Sequence, residues 1–492
     1  MPSRLETDPS ASSPAALRGM HTLPGPPGLP IFGNMLQAEP MRFHQTAERW
    51  SERYGNLFRI KMGNKQVLVV ADAEVIGRVL RDRPAPFGRG VRLRQIAAEM
   101  GITGLFTANT EVWQRQRPMV MSAFAPNNIR RYFPALVAVT QRLETRWRRA
   151  ARAGTAIDLQ ADLMRYTVDV TAGLAFGAAM NTLESDDNVI QQHLNAIFPM
   201  VGQRLLAPLP YWRWFKLARD RSLDRHLVEV HRAVAGFIDA ARARLRADPE
   251  RLENPDNLIE AMIAARDAPG SALTDQDVAG NVLTMLLAGE DTTANTLAWL
   301  LHLLSDQPAV REQLHAESAR VLGPESVATE FALAGALTFA EACTHEAMRL
   351  KPVAPFLLLE AYEDAEVAGI RVPRGAMVML LTRRAATDGR NFAEPLRFHP
   401  ERWLEDEELS GRSSAPKRAS MPFGGGPRLC PGRYLALLEI KMVVSMLFRN
   451  FEIDSVATAD GSPVEERLPF TMEPVGLRMK LRERAQSVPP PG

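Results

Sequence analysis

The chain has 492 residues, of which 46% are hydrophobic, so it can bury a large core and falls in the soluble globular class. Its 59 basic and 57 acidic side chains nearly cancel, and without a long basic run this balance argues against nucleic acid as a partner. The two cysteines, Cys343 and Cys430, cannot form a disulfide framework, which favours a reducing compartment.

The two ends of the chain have the composition of tails. Residues 1–22 are rich in Ser, Pro and Ala and predict a disordered segment, and they lack the apolar core of a secretory signal. The prolines of 23–33 stiffen the backbone and exclude helix, and 486–492 is a Pro-rich C-terminal tail. We therefore expect one domain over 23–485. Since no run of about eighteen apolar residues occurs, we also expect no transmembrane anchor and a cytoplasmic location.

Hydrophobic periodicity predicts a mainly α fold with a minor β part. The apolar runs 57–62 and 66–71 on either side of Gly63 predict a β-hairpin. Helical periodicity then dominates from 74 to 350. The alternating segment 365–381 predicts a shorter strand region before the last helix. These elements indicate a single large domain.

A long helix with a polar middle is predicted between Thr274 and Pro308. Thr274 and Asp277 have the spacing of a capping box, and both flanks are apolar on nearly every side, so the helix should run through the core. Its centre carries consecutive polar residues, among them Asp291 and Thr292. Two interpretations stay open. These residues form a solvated stripe or a locally satisfied kink, or else a carboxylate and an alcohol among them deliver protons into an apolar cavity. Gly289 would also permit a local widening of this helix.

An acidic residue and two arginines form a predicted structural staple. Glu346 and Arg349 lie at i and i+3 on one helical face, and Arg402 offers a second guanidinium. Such a pair alone is usually a surface salt bridge worth little. Between apolar neighbours, a buried carboxylate flanked by two forked guanidinium groups is fully satisfied.

The stretch FGGGPRLCPGRY, residues 423–434, places Cys430 on a glycine-rich turn. Pro431 is typical of the first position of a helix, so Cys430 should lie at a helix N-terminus, where the macrodipole favours thiolate. The glycines let the backbone approach a flat object closely. Phe423 is placed to shield the sulfur, and Arg428 to meet a carboxylate.

The sequence around the two cysteines also bears on other roles. Zinc is disfavoured because no second Cys or His lies at ligand spacing, and a dinucleotide fingerprint fails because position 429 is Leu. A nucleophilic Cys430 stays open, although no specific partner can be named. Cys343 is better interpreted as a small core residue.

Taken together, these motifs resemble those of the cytochromes P450. The stretch from Phe423 to Gly432 resembles the haem-binding loop of that family and matches all five of its usual fixed positions. AGEDTT, residues 288–293, is similar to the oxygen-activation motif. The remaining matches are the staple triad Glu346, Arg349 and Arg402, the WQRQR helix at 113–117 and the LPGPPG hinge at 23–28.

The resemblance implies a cytochrome P450 fold, with haem b between the long helix and the cysteine loop. Cys430 would be the axial thiolate, and Asp291 and Thr292 would deliver protons during oxygen activation. The implied cofactor-binding residues are Trp113, Arg117, Arg428, Phe423, Gly424, Gly432 and Ala288. One departure is Glu360, near a position where many relatives carry a basic residue that contacts a haem propionate. This glutamate would repel a propionate unless it points away or is protonated.

The resemblance also implies a function. The protein would insert one oxygen atom from O2 into a hydrophobic molecule, by hydroxylation or epoxidation of a fatty acid, terpenoid or steroid-like substrate. Electrons would come from NAD(P)H through a ferredoxin or flavodoxin-type partner and its reductase. The alternatives are a haem-thiolate peroxygenase or hydroperoxide isomerase, and a non-catalytic haem sensor. Segment 208–217, PLPYWRWFKL, is expected to be an access lid, with contact to a membrane surface as the alternative.

Overall fold

Helices form most of the computed structural model, which describes residues 17–177, 180–184, 189–207, 209–404 and 418–485. This agrees with the predicted mainly α composition. The α-helices are α1 Phe43–Tyr54, α2 Ala73–Arg81, α3 Val91–Glu99, α4 Thr110–Ala123, α5 Pro126–Ala153, α6 Leu159–Phe176, α7 Val189–Leu206, α8 Ala218–Ala247, α9 Leu258–Asp267, α10 Asp275–Ser305, α11 Pro308–Leu322, α12 Phe331–Gly335, α13 Thr338–Leu350, α14 Thr382–Ala386 and α15 Arg433–Asn450.

The strands form a minor part of the fold. They are β1 Arg18–Gly19, β2 Leu57–Met62, β3 Lys65–Val70, β4 Phe87–Arg89, β5 Ile157–Asp158, β6 Leu357–Ala361, β7 Ala365–Val367, β8 Ile370–Val372, β9 Met377–Leu380, β10 Phe451–Thr458, β11 Glu466–Arg467, β12 Glu473–Pro474 and β13 Leu477–Glu483. The largest sheet has five strands in the order β2-β3-β9-β6-β4. The predicted hairpin is confirmed, since β2 and β3 pair antiparallel with Leu57 opposite Val70.

The predicted long helix is α10, and its capping box is confirmed. The backbone N–H of Asp277 donates to Thr274 Oγ1 at 3.1 Å, and the N–H of Thr274 donates back to Asp277 Oδ2 at 2.9 Å. The helix continues without a break to Ser305, so the suggested widening at Gly289 does not occur. A Cβ at Gly289 would lie 2.6 Å from Thr171 Oγ1 of α6. This glycine therefore serves the close packing of α6 against α10.

The first described residues do not have the disorder predicted for residues 1–22. Arg18 and Gly19 form β1 beside Ile370 and Arg371 of β8, and the N–H of Arg18 donates to the Gly369 carbonyl at 3.1 Å. The prediction of disorder through residue 22 is therefore wrong for Arg18 and Gly19, because backbone pairing with β8 orders them. Residues 1–16 and the predicted C-terminal tail at 486–492 lie outside the described residues.

The aromatic segment between α7 and α8 is anchored to α3. The Trp212 Nε1–H donates to Glu99 Oε2 at 2.8 Å, whereas Trp214 and Phe215 are exposed. Pro208, within the predicted lid, lies outside the described residues. In the part of the chain that the structure describes, no helix has both the length and the apolar character that a membrane span requires.

Candidate functional site

The cysteine loop is held by its own backbone and by the end of α2. The N–H of Cys430 donates to the Phe423 carbonyl at 3.1 Å, and the N–H of Leu429 donates to the Gly426 carbonyl at 3.1 Å. Gly426 has a positive φ of 64°, and a Cβ there would collide with the Leu80 carbonyl of α2. Only glycine fits this position, which seats the loop directly on α2.

The helix after the cysteine starts later than predicted. The residue before α15 is Gly432, whose carbonyl accepts the first intrahelical bond, from the N–H of Ala436 at 2.9 Å. The expectation that Pro431 is the first helical residue is therefore wrong, because Pro431 and Gly432 form a turn. Cys430 lies just before that turn. Burial raises the pKa of its thiol, while the Gly432 N–H and the cation of Arg117 lower it.

Trp113, Arg117 and Arg428 converge on this loop. From α4, Arg117 Nη2 donates to the Leu429 carbonyl at 2.8 Å. The Arg428 guanidinium lies 5.2 Å from the Trp113 ring centroid, and its Nη1 donates to Asn109 Oδ1 at 3.2 Å. Burial and the neighbouring cation of Arg89 lower the pKa of Arg428 to about 9. The carboxylate that Arg428 was expected to meet is not among the described side chains that bond to it.

Two more arginines lie beside these groups. Arg83 is only 5% exposed, and its Nε and Nη2 atoms have no hydrogen-bond partner among the described residues. Burial and the cations of Arg89 and Arg428 lower the pKa of Arg83 to about 8. A buried cation is costly without a counter-charge. The residues next to the cysteine therefore fit a ligand that carries carboxylates, as haem does.

One face of α10 remains accessible although the helix runs through the core. Thr284 and Ala288 of this face are not buried, and neither is Thr292, whose Oγ1 donates to the Ala288 carbonyl at 2.7 Å. This face is connected to the cysteine loop by segment 103–109. The N–H of Leu105 in that segment donates to an oxygen of α10, Asn281 Oδ1, at 2.9 Å. At the other end of this segment, Asn109 Oδ1 accepts the hydrogen bond from Arg428 Nη1.

Asp291 is held by two neutral donors. The Asn295 Nδ2–H donates to its Oδ1 at 2.7 Å, and the Thr471 hydroxyl donates to its Oδ2. Burial raises the pKa of Asp291, and these two hydrogen bonds lower it. Glu473 lies close enough for the Asp291 charge to raise its pKa, although burial is the larger cause. The contact that holds Glu473 is its ion pair with Arg467 at 2.7 Å, which lowers the pKa of Glu473.

Two further carboxyl groups are buried near the middle of α10. Glu290 is 2% exposed, and neither of its oxygens has a partner among the described residues, so burial raises its pKa well above the usual value. Glu439 of α15 is also buried, and its pKa is raised to about 8. Sequence reasoning missed Glu439; its signal was an acid within the apolar run of the last helix.

The predicted staple residues lie together in the core. Glu346 accepts hydrogen bonds from Arg349 Nε and Nη2, both at 2.8 Å, and from Arg402 Nε at 3.1 Å. The backbone N–H of His399 and the Trp403 Nε1–H add bonds at 2.9 Å each. Glu346 and Arg349 are 0% exposed. The carboxylate is thus fully satisfied, and the contribution of Trp403 was not foreseen.

Glu360 turns away from the arginines. Its Oε2 accepts from the N–H of Val91 at 2.8 Å, at the start of α3, and its Oε1 accepts from Lys65 Nζ at 3.1 Å. A carboxylate at a helix N-terminus is favourable. The departure noted from the sequence therefore places no negative charge beside Arg428.

Comparisons with known proteins agree with the motifs. A family model described as Cytochrome P450 matches residues 23–481. The chain is 29% identical over 468 residues to the human mitochondrial 25-hydroxyvitamin D-1 alpha hydroxylase, covering 89% of this chain and 88% of that protein. It is 26% identical over 474 residues to cyclooctatin synthase of Streptomyces melanosporofaciens, covering 96% and 97% of the two chains.

Longer relatives contain the same region. A self-sufficient cytochrome P450 monooxygenase of Penicillium freii is 27% identical over 477 residues, which cover 94% of this chain but only 43% of that protein. The matched region therefore spans less than half of the fungal protein.

Proposed function

The chain belongs to the cytochrome P450 family, whose members are haem monooxygenases that use O2 and electrons from NAD(P)H, and we propose that it hydroxylates or epoxidises a hydrophobic small molecule. A fatty acid, terpenoid or steroid-like compound fits best, since segments that the family resemblance places around the substrate, 283–288 and 353–357 among them, are strongly apolar. The observation that carries the proposal is a cysteine loop beside buried arginines for which the described residues provide no carboxylate partner. The names of the vitamin D hydroxylase and of cyclooctatin synthase are compatible with such substrates.

Haem is proposed to bind between the cysteine loop and the accessible face of α10. Cys430 would supply its thiolate ligand, and Arg117, Arg428 and Trp113 would hold its carboxylates. The residues that would line its faces are Phe423, Gly424, Gly432 and Ala288. When bound, haem supplies the iron chemistry that activates O2.

Proton delivery is assigned to Asp291 and Thr292. The Thr292 hydroxyl donates to the Ala288 carbonyl, which leaves its oxygen free to accept another hydrogen bond on the accessible face. Asp291, held by Asn295 and Thr471, has a raised pKa and so can keep a proton at neutral pH more readily than an exposed aspartate. Asp291 would supply the proton, and Thr292 would position it.

Electrons are proposed to arrive from a ferredoxin or flavodoxin-type protein and its reductase. The basic residues proposed to dock an acidic donor on the thiolate side are Arg115, Lys417, Arg418 and Arg433. Of these, Arg433 lies next to the cysteine turn, whereas Arg115 is already paired with Asp277 at 3.1 Å. Lys417 lies outside the described residues. Both cysteines are free thiols, which supports the cytoplasm as the location.

The optical spectrum of the reduced protein with carbon monoxide tests this function. A strongly red-shifted Soret band that Cys430→Ser abolishes and Cys343→Ala retains would support it. Absence of any haem band after expression with added haem would refute it. Turnover with NAD(P)H and surrogate redox proteins, compared with turnover driven by peroxide alone, then separates a monooxygenase from a peroxygenase or hydroperoxide isomerase.

A further inference from the structure

We infer that Arg83 and Arg89 are additional anchors for the haem carboxylates, beside Arg117 and Arg428. This inference rests on the proposed haem site and extends it to two residues that no motif identified. The ligand chemistry is a pair of carboxylates lying against the cysteine loop.

The surroundings of Arg83 leave its charge uncompensated. Arg83 follows α2, and α2 packs directly on the cysteine loop at Leu80 and Gly426. Its guanidinium is close enough to Arg428 and Arg89 for both cations to lower its pKa. None of the described residues accepts a hydrogen bond from its Nε or Nη2. A buried guanidinium with free donors is a site for an oxyanion.

Arg89 is fixed toward the same cluster by its strand. It ends β4, opposite Leu359 of β6, and its Nε donates to the Phe106 carbonyl at 3.2 Å with the guanidinium 4.2 Å from the Phe106 ring centroid. Asn109 ties Arg89 to Arg428, because its Oδ1 accepts from the Arg89 backbone N–H at 3.2 Å and from Arg428 Nη1 at 3.2 Å. One side chain therefore aligns two of the arginines.

The acidic groups that the structure describes around the cluster do not neutralise it. Glu360, on the strand beside Arg89, is engaged with Val91 and Lys65. The Tyr362 hydroxyl donates to the Arg89 carbonyl at 2.6 Å, and burial raises its pKa, so it stays neutral. Consistent with an unpaired cluster, burial lowers the pKa of Arg89 to about 10. Two carboxylates of a bound ligand would supply the missing charge.

The first test measures haem retention in the holoenzyme. Arg83→Met and Arg89→Met should each speed haem transfer to apomyoglobin by about tenfold or more, since a charge-assisted hydrogen bond is lost. Arg81→Met, an exposed arginine at the end of α2, is the matched control and should transfer haem at the wild-type rate. Arg83→Lys and Arg89→Lys keep the positive charge, so their rates of haem transfer should lie between those of wild type and the Met variants. If a Met variant fails to fold, the Lys variants still test the inference.

A second measurement separates ligand contact from a structural role. The propionate bending band in the resonance Raman spectrum of the holoenzyme should shift in both Met variants and stay unchanged in Arg81→Met. After reconstitution with haem dimethyl ester, which lacks free carboxylates, wild type and Met variants should lose the ligand equally fast. The inference would be overturned if the transfer rates and the propionate bending band were unchanged in the Met variants. It would also be overturned if the substitutions sped the loss of haem and of its dimethyl ester equally.

These outcomes are distinct from failure of the proposed function. If wild type carries haem with the thiolate spectrum while the arginine variants behave like wild type, only the roles of Arg83 and Arg89 fall. If wild type binds no haem, the proposed function fails first. If the cluster instead serves a free anion, citrate would raise the unfolding temperature of the holoenzyme without slowing haem transfer, which also overturns the inference.

Discussion

The hydroxyl of Thr471 donates a hydrogen bond to Oδ2 of Asp291, joining the turn before β12 to the middle of α10. Because this bond stabilises the ionised carboxyl, it lowers the pKa of Asp291 against the effect of burial. The position of the acid therefore depends on a residue that lies 180 positions away in the chain.

Thr471→Val should raise the pKa of Asp291 and loosen its orientation. Because the acid would then lose its proton at a higher pH, the alkaline limb of the pH profile of turnover should shift to higher pH. Because its orientation is looser, a smaller share of the electrons consumed should reach product. Thr471→Ser retains the hydroxyl and should restore the wild-type profile. A Val variant with the wild-type pH profile and coupling would show that Thr471 does not tune Asp291.

Thr292→Ala should uncouple electron consumption from product formation. Without the hydroxyl, proton delivery on the accessible face of α10 is no longer ordered, and peroxide should be released. The matched control is Thr296→Ala, since Thr296 makes the same type of bond one turn later, to the Thr292 carbonyl at 2.8 Å. The measurement is the ratio of product and peroxide to NAD(P)H consumed. Equal coupling in the Thr292→Ala variant and wild type would exclude the assigned role.

Glu346→Gln should destabilise the fold by roughly 3 to 5 kcal/mol, because it leaves the buried Arg349 without its counter-charge. Glu394 and Arg397 provide a matched control with the same i,i+3 spacing, paired at 3.1 Å but 65% and 64% exposed. Glu394→Gln should change stability by less than about 1 kcal/mol. Chemical unfolding of both variants checks this, and similar losses would contradict a special role for the buried pair.

Glu439 should make stability fall as pH rises. Its pKa is about 8 in the folded protein, against 4.5 for an ordinary glutamate. Below about pH 4.5 the carboxyl is neutral in both the folded and the unfolded state. Between about pH 4.5 and pH 8 the unfolded chain releases this proton while the folded protein keeps it, so the free energy of unfolding falls as pH rises. The cost grows across this window and should reach roughly 3 to 5 kcal/mol of stability by about pH 8.

Unfolding midpoints at pH 5 and pH 8 test this cost. Glu439→Gln should be less sensitive to pH than wild type, whereas the exposed Glu366→Gln should keep the wild-type dependence. Parallel pH dependences in Glu439→Gln and wild type would mean that this carboxyl does not titrate as its burial implies.

The parts of the site that the sequence revealed are those encoded by local spacing. The capping box of Thr274 and Asp277, the Glu346–Arg349 spacing and the glycines around Cys430 each lie within a few residues, so their geometry follows from one helix or one turn. The start of α15 was misplaced by two residues, which is typical of helix boundaries.

The parts that the sequence did not reveal depend on distant pairing. Arg89 meets Arg428 only because β4 pairs with β6 and because Asn109 bonds to both arginines. The direction of Glu360 is set by the same pairing, which brings the start of α3 within reach of its carboxylate. A residue's strand neighbours decide such contacts, and one sequence does not specify them.

The short strand β1 has a practical consequence. The family match begins at residue 23, which invites trimming the chain there, yet Arg18 and Gly19 already cover one side of β8. In the sheet order β1-β8-β7, trimming would leave β8 as an unprotected edge with free backbone donors and acceptors. A shortened protein would then be prone to self-association through that edge. Loss of solubility on trimming would therefore be caused by the exposed strand edge and not by a change at the haem site.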